Sequence, residues 1–170
     1  MKIQIIGYSG SGKSTLARKL AEKYRVPVLH LDSVHFLPGW QIRSGEEKQR
    51  IVTEFLNANG DWIIDGNYSK LSYERRMEEA DEIICMEFGR IACLRRVIKR
   101  FHMYKNATRP DITEGCGEKI DAEFIRWVLW EGRTRAIRKG RKALTEKYAA
   151  KVTILKNQRQ LDRYCKLRGI

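Results

Sequence analysis

The chain has 170 residues, 42% hydrophobic and 32% charged, enough for one domain with a fair-sized core, expected to span 1–170. Three prolines and 13 glycines exclude collagen-like and low-complexity classes, and the apolar content excludes a disordered tail. The formal charge is +13 and uneven: residues 1–88 hold 12 Lys+Arg against 13 Asp+Glu, and residues 89–170 hold 22 against 8. A nucleic-acid partner is therefore one possibility. No run of roughly 18 apolar residues offers a membrane span, and Ile3–Ile6, short and interrupted by Gln4, is no signal-peptide core. Cys85, Cys93, Cys116 and Cys165 show no CxxC or zinc-like spacing. Free thiols in the cytoplasm are the expectation.

In chain order, Lys2–Gly7 reads as a strand and Ser14–Arg25 as a helix, with Leu16, Leu20 and Tyr24 on one face. Val26–Asp32 reads as a second strand ending in Asp32. Glu46–Asn57 is a helix stopped near Asn59-Gly60. Trp62–Asp65 and Glu82–Phe88 are strands, the latter almost continuously apolar, which suits a strand covered on both faces. Arg90–Tyr104 is a helix, and Lys105–Ile120 is an aperiodic loop with Pro110, Gly115 and Gly117. Asp121 caps a long helix running to about Lys147; Lys151–Leu155 is a fifth strand, and Asn157 caps a closing helix. Strands alternating with helices imply an α/β fold: a three-layer, five-stranded parallel sheet with helices on both faces. Ligands of such folds bind beyond the carboxyl ends of the strands.

Gly7-Tyr8-Ser9-Gly10-Ser11-Gly12-Lys13-Ser14 fits G-x-x-x-x-G-K-[ST] without mismatch, between a strand and a helix. In such a loop, backbone N–H groups converge on phosphate oxygens and the helix adds its positive end. Gly7, Ser9, Gly10, Ser11, Gly12, Lys13, Ser14 and Thr15 are the candidate contacts of a nucleoside triphosphate, ATP or GTP. Lys13 reaches the β- and γ-phosphates, and the Ser14 hydroxyl suits Mg²⁺. Asp65, ending an apolar strand, is the candidate second metal ligand, though Asp65-Gly66-Asn67 also suits a turn. Asp32 suits either an acceptor hydroxyl, as orienting or basic group, or a cap for the residues after it. Phe36 and Trp40 suit stacking on a planar acceptor or closure of the core. His30, His35 and His102 form no metal spacing.

Arg90, Arg95, Arg96, Lys99 and Arg100 crowd one helix, with Arg96 and Arg100 facing the same way. Segment 105–120, carrying Arg109, has the features of a lid. Arg126, Arg133, Arg135 and Arg138 follow it. Phosphoryl transfer needs cations brought to the moving group. A solvated basic face is the bland alternative for each arginine, but at least two are expected on phosphate, with Arg100 and Arg133 the catalytic candidates.

The loop GYSGSGKST, the acid-ended strands, the arginine helix and the lid resemble adenylate-kinase-like P-loop kinases. The stretches His30-Leu31-Asp32, Phe36 with Pro38-Gly39-Trp40, Trp62-Ile63-Ile64-Asp65-Gly66-Asn67-Tyr68, Thr108-Arg109-Pro110-Asp111 and Glu114-Gly115-Cys116 resemble more closely the small bacterial topology modulation proteins. The resemblance implies a triphosphate donor, Mg²⁺, a lid, and an acceptor site beyond the second strand drawing on Asp32, Phe36, Trp40, Asn67, Arg109 and Arg138. It also implies that Arg96 stacks on the donor base and that Arg100 meets phosphates. Adenylate kinases follow their Asp-Gly with an aromatic, Pro and an acceptor-phosphate Arg. Here Asn67-Tyr68-Ser69 follows instead, which argues against AMP as acceptor. Two functions are thus expected to compete. One is a Mg-dependent kinase of the nucleoside-monophosphate-kinase type acting on a small molecule. The other is a nucleotide-binding regulator associated with DNA.

Overall fold

The computed structural model describes residues 1–105 and 107–170; Asn106, inside the expected lid, lies outside the described residues. β1 (Lys2–Gly7) leads through the glycine loop into α1 (Lys13–Tyr24). β2 (Val28–His30) runs directly into a short helix, α2 (Leu31–His35), and then into an antiparallel pair, β3 (Phe36–Leu37) and β4 (Gln41–Ile42). α3 (Gly45–Ala58) is capped by Ser44, whose hydroxyl accepts the Glu47 N–H at 3.1 Å. β5 (Trp62–Asp65), α4 (Tyr73–Glu79), β6 (Glu82–Met86) and α5 (Arg90–Met103) follow. Beyond the expected lid come α6 (Ala122–Leu129), α7 (Arg135–Lys147), β7 (Val152–Leu155) and α8 (Gln158–Arg168).

The large sheet is parallel throughout, in the order β2-β5-β1-β6-β7. Successive side chains of a strand point to opposite faces, and here both faces are covered. Ile3, Ile5, Ile63, Ile84 and Met86 meet Leu16 and Leu20 of α1, Cys93 and Val97 of α5, Val128 of α6 and Tyr164 of α8. Ile6, Trp62, Ile64, Ile83 and Cys85 meet Val52 and Leu56 of α3, Met77 of α4 and Leu144 of α7. This is the expected three-layer α/β arrangement. At about 1.5–3 kcal/mol for each fully buried aliphatic side chain, the two apolar layers rather than local helix propensity hold the sheet. The same parallel layout points the carboxyl ends of β1, β2 and β5 to one edge, where the glycine loop emerges.

Three boundaries differ from the sequence reading. β2 stops at His30, and Asp32 sits in the first turn of α2. The second strand therefore does not end in Asp32, because Ser33 Oγ turns back to donate to the His30 carbonyl at 2.7 Å and starts a helix. The long helix expected from Asp121 to Lys147 is broken: α6 ends at Leu129, a 3₁₀ turn spans Glu131–Arg133, and Thr134 caps α7 by accepting the Ile137 N–H. The break turns Arg133 inward. Segment 107–120 has no regular structure, as expected, but it is docked rather than loose. Thr113 Oγ1 donates to the Ser33 carbonyl at 3.0 Å and to the Phe36 carbonyl, and Gly39 N–H donates to the Gly115 carbonyl at 3.2 Å. Ile112 and Cys116 are buried beneath it. All four cysteines are free thiols. Among the described residues, no helix is long and apolar enough to cross a membrane.

Candidate active site

The glycine loop closes on itself before α1 begins: the Ser11 N–H donates to the Tyr8 carbonyl at 3.1 Å. Gly10 sits at φ +75, and a Cβ there would fall 2.7 Å from the Cys93 carbonyl oxygen, so both conformation and packing against α5 require glycine. α1 begins with no side-chain cap, which leaves its first N–H groups for an external acceptor. Lys13 Nζ donates to the Tyr8 carbonyl at 3.2 Å. Burial lowers its pKa, against the opposing pull of Asp32 and Asp65.

Asp65 receives two groups. Ser14 Oγ donates to its Oδ2 at 2.7 Å, and His30 Nδ1 contacts Oδ1. β2 and β5 pair in register with His30 opposite Asp65, so the sheet itself fixes this contact. Burial disfavours the imidazolium of His30, but the hydrogen bond and charge of Asp65 outweigh it and raise its pKa. The next turn is clamped to the glycine loop. Asn67 Oδ1 accepts the Gly7 N–H at 2.9 Å, and Asn67 Nδ2 donates to the Gly7 carbonyl at 2.7 Å. Gly66, at φ +136, passes so close to α2 that a Cβ would fall 2.7 Å from Leu31 Cβ.

Across the cleft, Tyr68 Oη donates to Asp32 Oδ1 at 2.8 Å. Burial, with the Asp32 carboxylate beside it, raises the Tyr68 pKa. The His35 ring lies 4.6 Å from Phe36 and 4.8 Å from Tyr68, and Phe36 lies edge-on to Trp40 at 5.0 Å. Burial and the nearby Lys48 ammonium lower the His35 pKa. Trp40 Nε1 donates to the Gly117 carbonyl at 3.1 Å, tying this aromatic group to segment 107–120.

One cleft is lined by the glycine loop and start of α1, from Ser9 to Thr15 except Ser11, together with Asp32, Phe36, Trp40, Asp65, Asn67, Arg96, Arg100 and Arg109. Several candidates are engaged by the protein itself. Asn67 gives both ends of its amide to Gly7. Arg96 donates to the Ser11 carbonyl and to Gln158, with its guanidinium 4.0 Å from the Phe88 ring centroid. Arg100 pairs with Glu118 at 3.1 Å, and Arg109 with Asp111 at 3.3 Å. Ser11 is wholly buried.

Arg133 and Arg138 do not join the cleft. Arg133 donates to the Val128 and Phe88 carbonyls at 2.9 and 2.8 Å and lies 3.0 Å from Cys93 Sγ, while Arg138 is exposed on α7. Arg133, expected as a catalytic group, is bonded to internal acceptors, and Arg138, expected at the substrate, points outward. Arg141, not singled out by the sequence, lines the cleft instead, with a buried Nη1 that has no protein partner. The Arg133 and Arg141 guanidiniums lie 3.7 and 4.0 Å from the Tyr8 centroid. At those distances they must occupy opposite faces of the ring and so brace the glycine loop. Trp127 Nε1 donates to Ser9 Oγ at 3.3 Å over the mouth of the loop. His30, Tyr68, Glu118 and Arg141 were missed because their partners are distant in sequence. For His30 alone, the strand-end position beside an acid was a usable signal.

The donor set suits a Mg²⁺–triphosphate: a hydroxyl and a carboxylate oxygen already in contact for a hard cation, and a half-buried lysine that, among the described residues, bonds no carboxylate. Among the described residues, no cluster of three or more His, Cys, Asp or Glu offers a separate metal centre.

The chain matches no family model and no curated protein. Among solved structures it is similar to a shikimate kinase from Acinetobacter baumannii in complex with shikimate, with a TM-score of 0.58 and 16% identity over 98% of this chain and 89% of that one. It is also similar to TT1252 from Thermus thermophilus, with a TM-score of 0.56 and 18% identity over 98% and 95% of the two chains. The chain has a P-loop kinase-like fold. The likeness extends along nearly the whole chain, so the glycine loop of β1–α1 is embedded in the architecture that such loops ordinarily serve.

Proposed function

We propose that the protein is a Mg-dependent phosphotransferase of the nucleoside-monophosphate-kinase type, moving the γ-phosphoryl group of ATP or GTP to a small-molecule hydroxyl. The carrying observation is the Ser14–Asp65 contact of 2.7 Å at the foot of the glycine loop, with Asp32 facing it across the same cleft. In this reading the loop N–H groups and Lys13 hold the donor phosphates. Ser14 and Asp65 would hold Mg²⁺, which would supply neutralisation of phosphate charge. Asp32, held by Tyr68, orients the acceptor hydroxyl and takes its proton. His30 fixes the Asp65 carboxylate, Arg96 flanks the donor, and Phe36, Trp40 and the rings beside them receive the acceptor. The resemblance to topology modulation proteins fits this reading through the same Asp32, Trp40 and Asp65 stretches.

The test is nucleotide consumption with a panel of hydroxyl acceptors: nucleosides, nucleoside monophosphates, sugars, and polyols including shikimate. Lys13→Ala and Asp65→Ala are expected to lower turnover by at least about a hundredfold while circular dichroism stays unchanged. Wild-type turnover in either variant refutes the assignment.

A second reading, association with DNA, is favoured by one observation: Arg135, Arg138 and Lys139 are all exposed on α7 and away from the cleft lining. Phosphate backbones reward such a row. DNA affinity measured across a salt series decides it, and no detectable binding at physiological salt removes it.

A further inference from the structure

The cleft contains a charged group whose chemistry the kinase reading leaves unused. Arg100 Nε donates to Glu118 Oε2 at 3.1 Å. Arg109 Nε lies 2.6 Å from the other oxygen, Oε1, off the line of a hydrogen bond but in ion-pair contact. Arg109 Nη1 donates to Asp111 Oδ2 at 3.3 Å. All four residues line the cleft, yet the Glu118 side chain is 2% exposed. One carboxylate thus bridges two guanidiniums with one oxygen each, as a phosphate would. The four charges cancel. A phosphate entering here would have to expel a buried carboxylate and leave it without a counter-charge, which is costly. Glu118 is also held in place, because the residues just before it are pinned to the segment around α2 and β3 through Thr113, Gly115, Cys116 and Gly117.

The wall on which this segment docks is aromatic, Trp40 Nε1 donating to the Gly117 carbonyl. His35, Phe36, Trp40 and Tyr68 contact one another around Asp32. Lys48 Nζ stands 3.4 Å from His35 Nδ1. Arg43, on the same segment, pairs with Glu47.

We propose that Glu118 sets the acceptor class. By neutralising Arg100 and Arg109 it bars compounds that already carry a phosphate, so the cleft takes an acceptor with a planar ring and a free hydroxyl, nucleoside-like rather than a nucleoside monophosphate. The inference rests on the phosphotransferase reading for its word "acceptor", but the anion chemistry stands on the four charged groups alone.

Inorganic phosphate is titrated calorimetrically into the wild-type chain, Glu118→Gln and Glu118→Gln/Arg109→Gln. Binding at the glycine loop is common to all three and forms the baseline. Glu118→Gln removes one charge and leaves two guanidiniums against the single carboxylate of Asp111. It is expected to bind phosphate on the order of ten- to a hundredfold more tightly than wild type, the range that charge-assisted hydrogen bonds supply. The double variant is expected to lose that gain. The wild-type chain, which tests the point even where Glu118→Gln does not fold, is expected to bind phosphate at the glycine loop alone. Equal affinity in wild type and Glu118→Gln, a gain that survives in the double variant, or a second phosphate bound by the wild-type chain overturns the proposal. In the acceptor panel, wild-type transfer to a nucleoside over its monophosphate supports it, and the reverse preference overturns it. If no acceptor turns over, the kinase reading fails while the phosphate titration still decides the role of Glu118.

Discussion

Arg76 is wholly buried on α4 without a carboxylate, and replacing it is the sharpest test of how the site turn is built. Its Nε donates to the Leu71 carbonyl at 2.8 Å, Nη1 to Gln4 Oε1 at 2.7 Å and Nη2 to the Tyr68 carbonyl at 2.7 Å. Burial lowers its pKa to about 10, only partly opposed by Tyr73. The group remains charged at neutral pH, and its charge by itself opposes folding. Arg76→Met removes that cost but leaves three inward-facing acceptors without a donor. At about 1–3 kcal/mol for each unsatisfied buried group, the gross loss is about 3–9 kcal/mol. Relief of several kcal/mol of ion desolvation offsets part of it. A net loss of about 2–4 kcal/mol is expected, a large share of the roughly 5–15 kcal/mol typical of a folded domain. Urea denaturation followed by far-UV circular dichroism reads it directly. Arg76→Lys is expected to lose nearly as much, because one ammonium on a flexible stem cannot replace a planar fork serving three acceptors. A Met variant within about 0.5 kcal/mol of wild type would show that the turn does not depend on Arg76, and the reasoning fails.

Gly10→Ala forces an L-residue into a left-handed conformation and against the Cys93 carbonyl. The expected destabilisation is about 2–5 kcal/mol, combining roughly 1–2 for the conformation and 1–3 for the overlap, and it appears as a lower thermal midpoint. The Cys85 thiol is pushed up to about 12, first by burial and then by Glu87, so in the native protein at pH 8 it is expected to resist iodoacetamide. Peptide mass mapping that finds Cys85 labelled at the unfolded rate contradicts this. Hydrogen bonds from Lys2 and then Arg75 lower the Glu79 pKa. A depressed carboxyl pKa stabilises the fold above the unfolded value and loses that contribution as pH falls through the folded one. Glu79→Gln is therefore expected to lower stability at pH 7 but to match wild type at pH 2, and an equal difference at both pH values counts against the pairing.

What was legible in the sequence divides by the range of the interaction. The glycine loop, Lys13 and Ser14 form a contiguous pattern whose chemistry is local. The near-continuous apolar run of β6 announced a strand covered on both faces, and Asp121 and Asn157 do cap helices. Asp65 was readable because an acid ending an apolar strand in this topology has few places to point. The His30 contact required knowing that β2 pairs with β5 in the register His30–Asp65, which no local pattern encodes. The break before α7 had local signals in Gly132 and the capping Thr134, but the inward turn of Arg133 depends on the distant Phe88 carbonyl as well as that of Val128. Segment 107–120 was recognisable as a loop by its lack of periodicity, but its docking depends on groups about 80 residues earlier in the chain: carbonyls that accept from Thr113 and Cys116, and the Trp40 indole that donates to Gly117.

The turn after β5 joins the two halves of the cleft, and this explains why so many polar residues follow one short strand. Asp65 bonds Ser14, Asn67 grips Gly7 at the root of the glycine loop, and Tyr68 bonds Asp32. Arg76 then holds the Tyr68 carbonyl from within the core. Four residues of one turn, or bonded to it, thus set the distance between Ser14 and Asp32. A change in the turn should therefore move both ends together. Asn67→Ala, which touches neither Asp32 nor the Ser14–Asp65 contact, frees the Gly7 N–H and carbonyl and loosens the glycine loop. On the phosphotransferase reading proposed above, calorimetric titration is then expected to show weaker nucleotide binding even though no proposed phosphate ligand has been removed, because the loop must be ordered at the moment of binding.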